Sequence, residues 1–261
     1  MTVNAGIVVP VTGSRKPGPY LRNLNVTWAS ATTLLLTAGE CSDSTNTIDM
    51  VASANISLNS AIVGAGGMDA GALANSTFYY VHLIASSAGI INPGVSAIIS
   101  LSKTAPYLPY GYDASRLVGT VLTDGSAQFP SFYTLGKSSD KTFVYDHGIS
   151  ITLPASGSFP ILYTALSLAT AVAPIDTYSN VTFASSVTPV AAGNGYYLSA
   201  DGNYAYSVIS GSVVADPVIA QYANMDCVST IVTGAPTIYY KMDSASEVAA
   251  TLRVKSFTYS V

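Results

Sequence analysis

Charge is scarce in this chain: Asp, Glu, Lys and Arg make up 9% of its 261 residues, where an ordinary soluble domain carries roughly a quarter. Its surface must therefore be covered by Ser, Thr, Asn, Gly and Tyr. Such a surface is easily desolvated and keeps few like charges apart, which suits a chain that lies packed against other chains. With 10 Lys and Arg and a formal net charge of −4, there is no basic stripe to follow a nucleic-acid backbone. Arg15, Lys16 and Arg22 are the nearest approach to a cluster. They read as contacts of an arm with solvent or a neighbouring surface, and no nucleic-acid partner is expected.

Histidine is rarer still, with only His82 and His147. It supplies most general bases and many metal ligands, so this shortage counts against both. A zinc site can be assembled on paper from Cys41, Cys227, His82 and His147, but it lacks the short local spacings of structural zinc sites. The two cysteines make no disulfide framework and read as free buried thiols, with a bridge between halves as the other reading. No G-x-S-x-G elbow is present, although a Ser/His/Asp triad is geometric and sequence order does not exclude it. Asp69, Asp113, Asp124, Asp146, Asp201 and Asp226 fall near loops and read as caps of their own turns rather than as a catalytic pair. The expectation is no enzyme, no catalytic residue, no metal and no cofactor.

Long apolar runs are missing as well. The stretch 159–175 is broken by Tyr163, Thr164, Ser167, Thr170 and Pro174, short of the roughly 20 apolar residues a membrane helix needs. An outer-membrane barrel would ordinarily carry more charge than this, so no membrane partner is expected. The start, MTVNAGIVVPVTG, has no basic region ahead of an apolar core, and no export leader is expected. Four N-x-[ST] sequons, at Asn25, Asn55, Asn75 and Asn180, fit chance in a chain so rich in Asn, Ser and Thr.

What is present is a period of two. Leu24, Val26 and Trp28 alternate with Asn25, Thr27 and Ala29, and residues 32–36 form a second run after a tight reversal. Further strands are expected over 47–51, 55–58, 76–84, 96–101, 116–122, 141–145, 149–153, 161–166, 180–184, 196–198, 204–210, 228–232, 237–242 and 250–259. Residues 162–173 compete as a short helix. The run GAGGMDAG at 64–71 reads as a sheet-connecting loop, because no Lys followed by Ser or Thr stands at a phosphate-loop offset. Turn signals include Asp146-His147-Gly148 and Asp201-Gly202-Asn203. Many short strands between turn signals predict an all-β chain, an antiparallel, jelly-roll-like β-sandwich. It is expected as one elaborate module or two packed ones, with an extended N-terminal arm over 1–23, rich in Pro and Gly. The first module would cover 24–136 and the second 137–261, either packed against the first or continuous with it, the best seam being KSSD at 137–140.

Tyrosine is abundant, with 18 copies, and offers rigid amphipathic surface at low entropic cost. Trp28, Tyr107, Tyr110, Tyr112, Tyr196 and Tyr197 are the candidates for subunit interface or glycan contact. Asp113 is expected to pair with Arg116 and fix the loop between them.

The segment APYLPYGYDASRLVG at 105–119 is the most distinctive. Together with NLNVTWASATTLLLTAG, GAGGMDAGALANSTFYYVHLIA and VLTDGSAQF, it resembles a family of tailed-bacteriophage virion proteins. These are labelled tail fibre, head fibre or structural protein. The resemblance covers roughly residues 24–132, and the closing TLRVKSFTYSV is weakly similar to the last strand of the same proteins. It implies a structural component of a virion, assembled in the host cytoplasm. Such a component would be a head decoration or fibre protein, or a tail fibre. Its partners would be other copies of itself, a trimer by analogy with fibres, other capsid or tail proteins, and host surface glycan. No catalytic residue comes with it. The rival readings are a carbohydrate-binding receptor-recognition module and a glycan-cleaving enzyme.

Overall fold

A computed structural model of the chain describes residues 7–10, 19–87, 94–155, 158–173, 181–188, 195–199, 207–210, 221–225, 236–242 and 249–261. Among these residues it is all-β, with no helix. It divides into two compact units, one of Met1–Thr142 with Ser260–Val261 and one of Phe143–Tyr259. The seam expected at 137–140 lies just ahead of this division.

The first unit contains β1 (Ile7–Pro10), β2 (Leu21–Asn23), β3 (Val26–Ser30), β4 (Thr33–Leu36), β5 (Gly39–Ser42) and β6 (Ile48–Ala52). It continues with β7 (Ile56–Asn59), β8 (Phe78–Ala85), β9 (Val95–Ser100), β10 (Ala114–Leu122) and β11 (Phe132–Leu135), then enters β12 (Asp140–Ile151). Its strands pair in the orders β1-β6-β5-β2, β10-β8-β9 and β11-β3-β4-β7. The pairs are antiparallel throughout. Strand β9 packs on both β6 and β7, β8 packs on β6, and β10 on β3. The sheet β10-β8-β9 is therefore the middle layer of a sandwich. That placement explains its sequence: a strand covered on both faces needs apolar residues at consecutive positions, and Tyr79 to Ala85 are all buried. Each Val, Leu or Ile so buried contributes about 1.5–3 kcal/mol relative to an exposed one.

Of the expected N-terminal arm, residues 7–10 and 19–23 are described, and two pieces of it enter ladders of their own chain. β1 pairs with β6, Ile7 opposite Val51, and β2 pairs with β5, Leu21 opposite Cys41. Both lie at sheet edges, where Pro10 is tolerated because one side of the strand needs no ladder donor. Residues 11–18, with Arg15 and Lys16, lie outside the described residues.

The second unit holds the rest of β12, then β13 (Thr164–Ser167), β14 (Val181–Thr188), β15 (Gly195–Ser199), β16 (Ser207–Ser210), β17 (Gln221–Met225), β18 (Thr237–Met242) and β19 (Ala249–Ser260). Two strand orders build it, β17-β14-β19-β12 and β13-β18-β15-β16, and β16 packs on β14 and β17. In β18, TIYYKM alternates half-buried and buried positions without a break, as a strand with one covered face should. The core includes Phe143, stacked on Phe257 with centroids 5.2 Å apart, and Tyr145, tilted 4.7 Å from Phe143. The Tyr145 hydroxyl donates to the Ala171 carbonyl at 2.8 Å, the partner a buried phenol requires.

Residues 162–173 contain β13 and a turn, not a helix. The turn expected at Asp146-His147-Gly148 is absent: β12 runs through it, joining two expected strands into one of 12 residues. Gly148 absorbs the irregularity, with φ of 71°, a conformation a side chain would disfavour. The strand expected at 228–232 lies outside the described residues, while β5, β11 and β17 fall where no strand is expected.

Candidate functional site

The segment joining β9 to β10 carries the two most exposed tyrosines among the described residues: Tyr107 is 73% exposed and Tyr110 is 94% exposed. Its backbone is held at several points. As β9 ends, Ser100 Oγ accepts from the Ser102 N–H at 2.9 Å, and Ser102 Oγ accepts from the Ala105 N–H at 3.0 Å. The Tyr107 N–H then donates to Asp69 Oδ2 at 3.0 Å. Around Tyr110 the chain reverses, with the Tyr112 N–H donating to the Pro109 carbonyl at 3.0 Å. Gly111 has φ of 91°, the value the third position of a type II turn demands.

Asp113 does not pair with Arg116. Its carboxylate accepts from the Ser87 N–H at 2.7 Å and from Ser87 Oγ. Two donors in fixed positions hold a carboxylate better than one flexible cation at an exposed site, where a salt bridge contributes only about 0.2–1 kcal/mol. The loop is thus tied to the end of β8 rather than to its own downstream strand.

Asp69 reaches Tyr107 because the glycine-rich loop lies along β9. Gly66 N–H donates to the Ala97 carbonyl, Asp69 N–H to Ile99 and Ile99 N–H to Gly67, each at 2.8 Å. This is the sheet-connecting role expected from the sequence, and it leaves Ile62 and Val63 exposed on the same loop. The other wall of the support is His82, buried in β8, with Nε2 2.9 Å from the Ser102 carbonyl. Burial holds the His82 pKa below its usual range, against the opposing pulls of that carbonyl and of Asp69. A neutral ring whose Nε2–H donates to Ser102 fits this setting, so the histidine braces the start of the loop.

The remaining candidates lie elsewhere. Trp28 is 38% exposed, and its indole N–H donates to the Phe129 carbonyl at 2.9 Å, so it is a partly open prop. Tyr112 is half-buried. Tyr197, on β15 in the second unit, lies beside Lys241, whose Nζ is 4.8 Å from the Tyr197 ring centre and 5.1 Å from that of Tyr163. The Tyr196 side chain, Asp201, Asp226 and Cys227 lie outside the described residues. Arg22 is exposed on β2 and bonds Glu40 at 3.0 Å. Asp124 caps its turn, accepting from Ser126 and Gln128 N–H at 2.8 and 2.9 Å.

Cys41 is a buried free thiol, and burial pushes its pKa up to about 12. Among the described residues, no group of three or more His, Cys, Asp or Glu side chains converges as metal ligands would. Sequence reading missed Ser87 and Lys241 as partners, since neither stands in a motif. No protein-family model, curated protein or solved structure matches this chain.

Proposed function

We propose that this chain is a non-catalytic structural or adhesive component of a bacteriophage particle, carried on the head or the tail, and that the Tyr107–Tyr110 loop is one of its protein contact surfaces. The observation that carries the contact surface is the combination of high exposure at Tyr107 and Tyr110 with a backbone anchored by Asp69, Ser87 and Ser102. An aromatic held in place before binding loses little entropy on contact, and covering it contributes about 1.5–3 kcal/mol. The scarcity of charge supports a life packed against other chains, and the resemblance of residues 24–132 to phage virion proteins supports the particle.

The partners are other copies of the chain, with a trimer as the expected state, and other capsid or tail proteins. Light scattering on the purified chain tests the first: an oligomer is expected, reduced to monomer by Tyr107→Ser/Tyr110→Ser with an unchanged far-UV spectrum. A monomeric wild-type chain would remove this contact. Cryo-EM of particles carrying the protein tests the second, and absence of its density from head and tail would end the virion reading.

A carbohydrate-binding role has its own support in Lys241 lying between the Tyr163 and Tyr197 rings, a half-open aromatic surface with a fixed cation. Loss of glycan binding in Tyr197→Ala, with assembly intact, is the outcome that reading expects.

A further inference from the structure

Away from the tyrosine loop, three of the chain's ten basic residues line one cleft in the first unit. Arg22 comes from β2, Arg116 from the start of β10, and Lys137 from the turn between β11 and β12. Backbone bonds tie the walls: Asn23 N–H donates to the Lys137 carbonyl at 3.2 Å, and Val261 N–H to the Ser139 carbonyl at 3.1 Å. The cleft has a volume of about 500 Å³, within the range of small-molecule sites. Ser138 and Ser139 bring hydroxyl-bearing side chains to its wall, Tyr20 lines it as well, and no Asp or Glu side chain does.

The three cations are not equivalent. Arg22 is engaged by Glu40 at 3.0 Å, whereas neither Arg116 nor Lys137 has a carboxylate or hydrogen-bond partner for its side chain among the described residues. Arg116 and Lys137 place two cations on a shared concave wall, flanked by the acids Glu40, beside Arg22, and Asp49, beside Tyr20. An entering anion would relieve the repulsion between the two cations, and a guanidinium fork suits the two oxygens of a carboxylate.

The geometry points to a binding site for an acidic saccharide in this cleft, its carboxylate on Arg116 and Lys137 and its ring hydroxyls on Ser138 and Ser139. Tyr20 has its hydroxyl committed to Asp49 at 2.7 Å, so its part is as a wall against the sugar ring. A saccharide is favoured over an acidic peptide because the wall offers hydroxyls. The adjoining edge strand β2, only three residues long, also gives little ladder for an added strand.

Calorimetric titration with trigalacturonate tests the site. Binding that weakens with added salt is expected, with affinity falling at least about tenfold in Arg116→Gln/Lys137→Gln, the scale of losing one or two charge-assisted bonds. Tyr110→Ser should bind as the wild type does. Should the double variant fail to fold, Lys137→Gln alone, at an exposed position, carries the test. No binding at about 10 mM ligand, weaker than any specific site, would overturn the proposal, as would unchanged binding in the variants. Equal affinity for inorganic sulfate, or for a hexaglutamate peptide, would overturn the saccharide assignment in favour of a plain anion or a protein partner. The tyrosine-loop contact stands or falls separately, since it shares no residue with this cleft.

Discussion

Asp43 illustrates how much one side chain organises. Its carboxylate accepts from the N–H groups of Thr47 at 2.6 Å, Ile48 at 3.0 Å and Thr45 at 3.1 Å, and also from the Thr45 hydroxyl. Burial alone would raise its pKa, but these bonds outweigh burial and hold it below the usual range. Asp43→Ala leaves those donors without an acceptor and should cost about 1–3 kcal/mol in a denaturant titration. The charge-linked part of this stability is present above the unfolded carboxyl pKa of about 3.9 and disappears as pH falls through the lower folded value. Lys141 works in the opposite sense. It is buried at the start of β12, its ammonium donating to the Asn23 carbonyl, to Asn25 Oδ1 at 3.0 Å and to the Gly136 carbonyl at 3.3 Å. Burial lowers its pKa from 10.5 to about 8, so between these values the unfolded chain holds more protons and stability rises with pH. Cys41, raised by burial from 9.0 to about 12, loses its proton first in the unfolded chain, and stability from it falls above about pH 9. Melting curves should therefore show a rise between about pH 8 and 9 that flattens beyond it. Lys141→Met should abolish the rise, and Cys41→Ala should extend it.

At the scale of elements, β12 and β8 show what alternation reveals and what it hides. β8 was legible because its aromatic and β-branched residues leave few options other than a strand, and its two buried faces follow from its central place. The sequence of β12 reads as two strands separated by a turn because Asp-His-Gly is an ordinary turn sequence. In the fold, Gly148 takes φ of 71° within a continuing strand, and a side chain there would come within 3.0 Å of the Val254 carbonyl and 2.9 Å of Lys255 Cδ. Gly148→Val should thus destabilise the second unit by about 1–3 kcal/mol, read as an earlier melt of near-UV signal from Phe143, Tyr145 and Phe257. Trp28 is the sole tryptophan, so its fluorescence reports on the first unit alone. Its partial exposure predicts a red-shifted emission in the folded protein. β5 and β11 escaped notice because GECS and FYTL are only four residues each, too short for a period to register. They become strands because neighbouring ladders need partners.

At the scale of the whole molecule, composition and fold agree: a layered all-β chain with little surface charge. Removing like-charge repulsion leaves such a protein prone to association. Self-association should accordingly respond more to Tyr107→Ser/Tyr110→Ser than to salt between about 0.05 and 0.5 M, a range over which surface charge interactions are strongly screened. A steep salt dependence in light scattering would point to charged contacts instead. The candidate surface was half legible. Tyr107 and Tyr110 stand out in the sequence beside Pro106 and Pro109, but their anchoring does not, because Asp69 and Ser87 come from other loops and the Asp113–Arg116 pair suggested by proximity does not form. By itself the sequence determined the all-β class, most strand positions and the exposure-prone tyrosine segment, since alternation, turn residues and aromatic content act over a few neighbouring positions. Only the tertiary structure decided that β12 runs unbroken, that the arm supplies two edge strands, and that Arg22, Arg116 and Lys137 meet at one cleft. Those outcomes depend on which strands pair across the chain, and pairing is settled by the burial of whole faces rather than by any local run of residues.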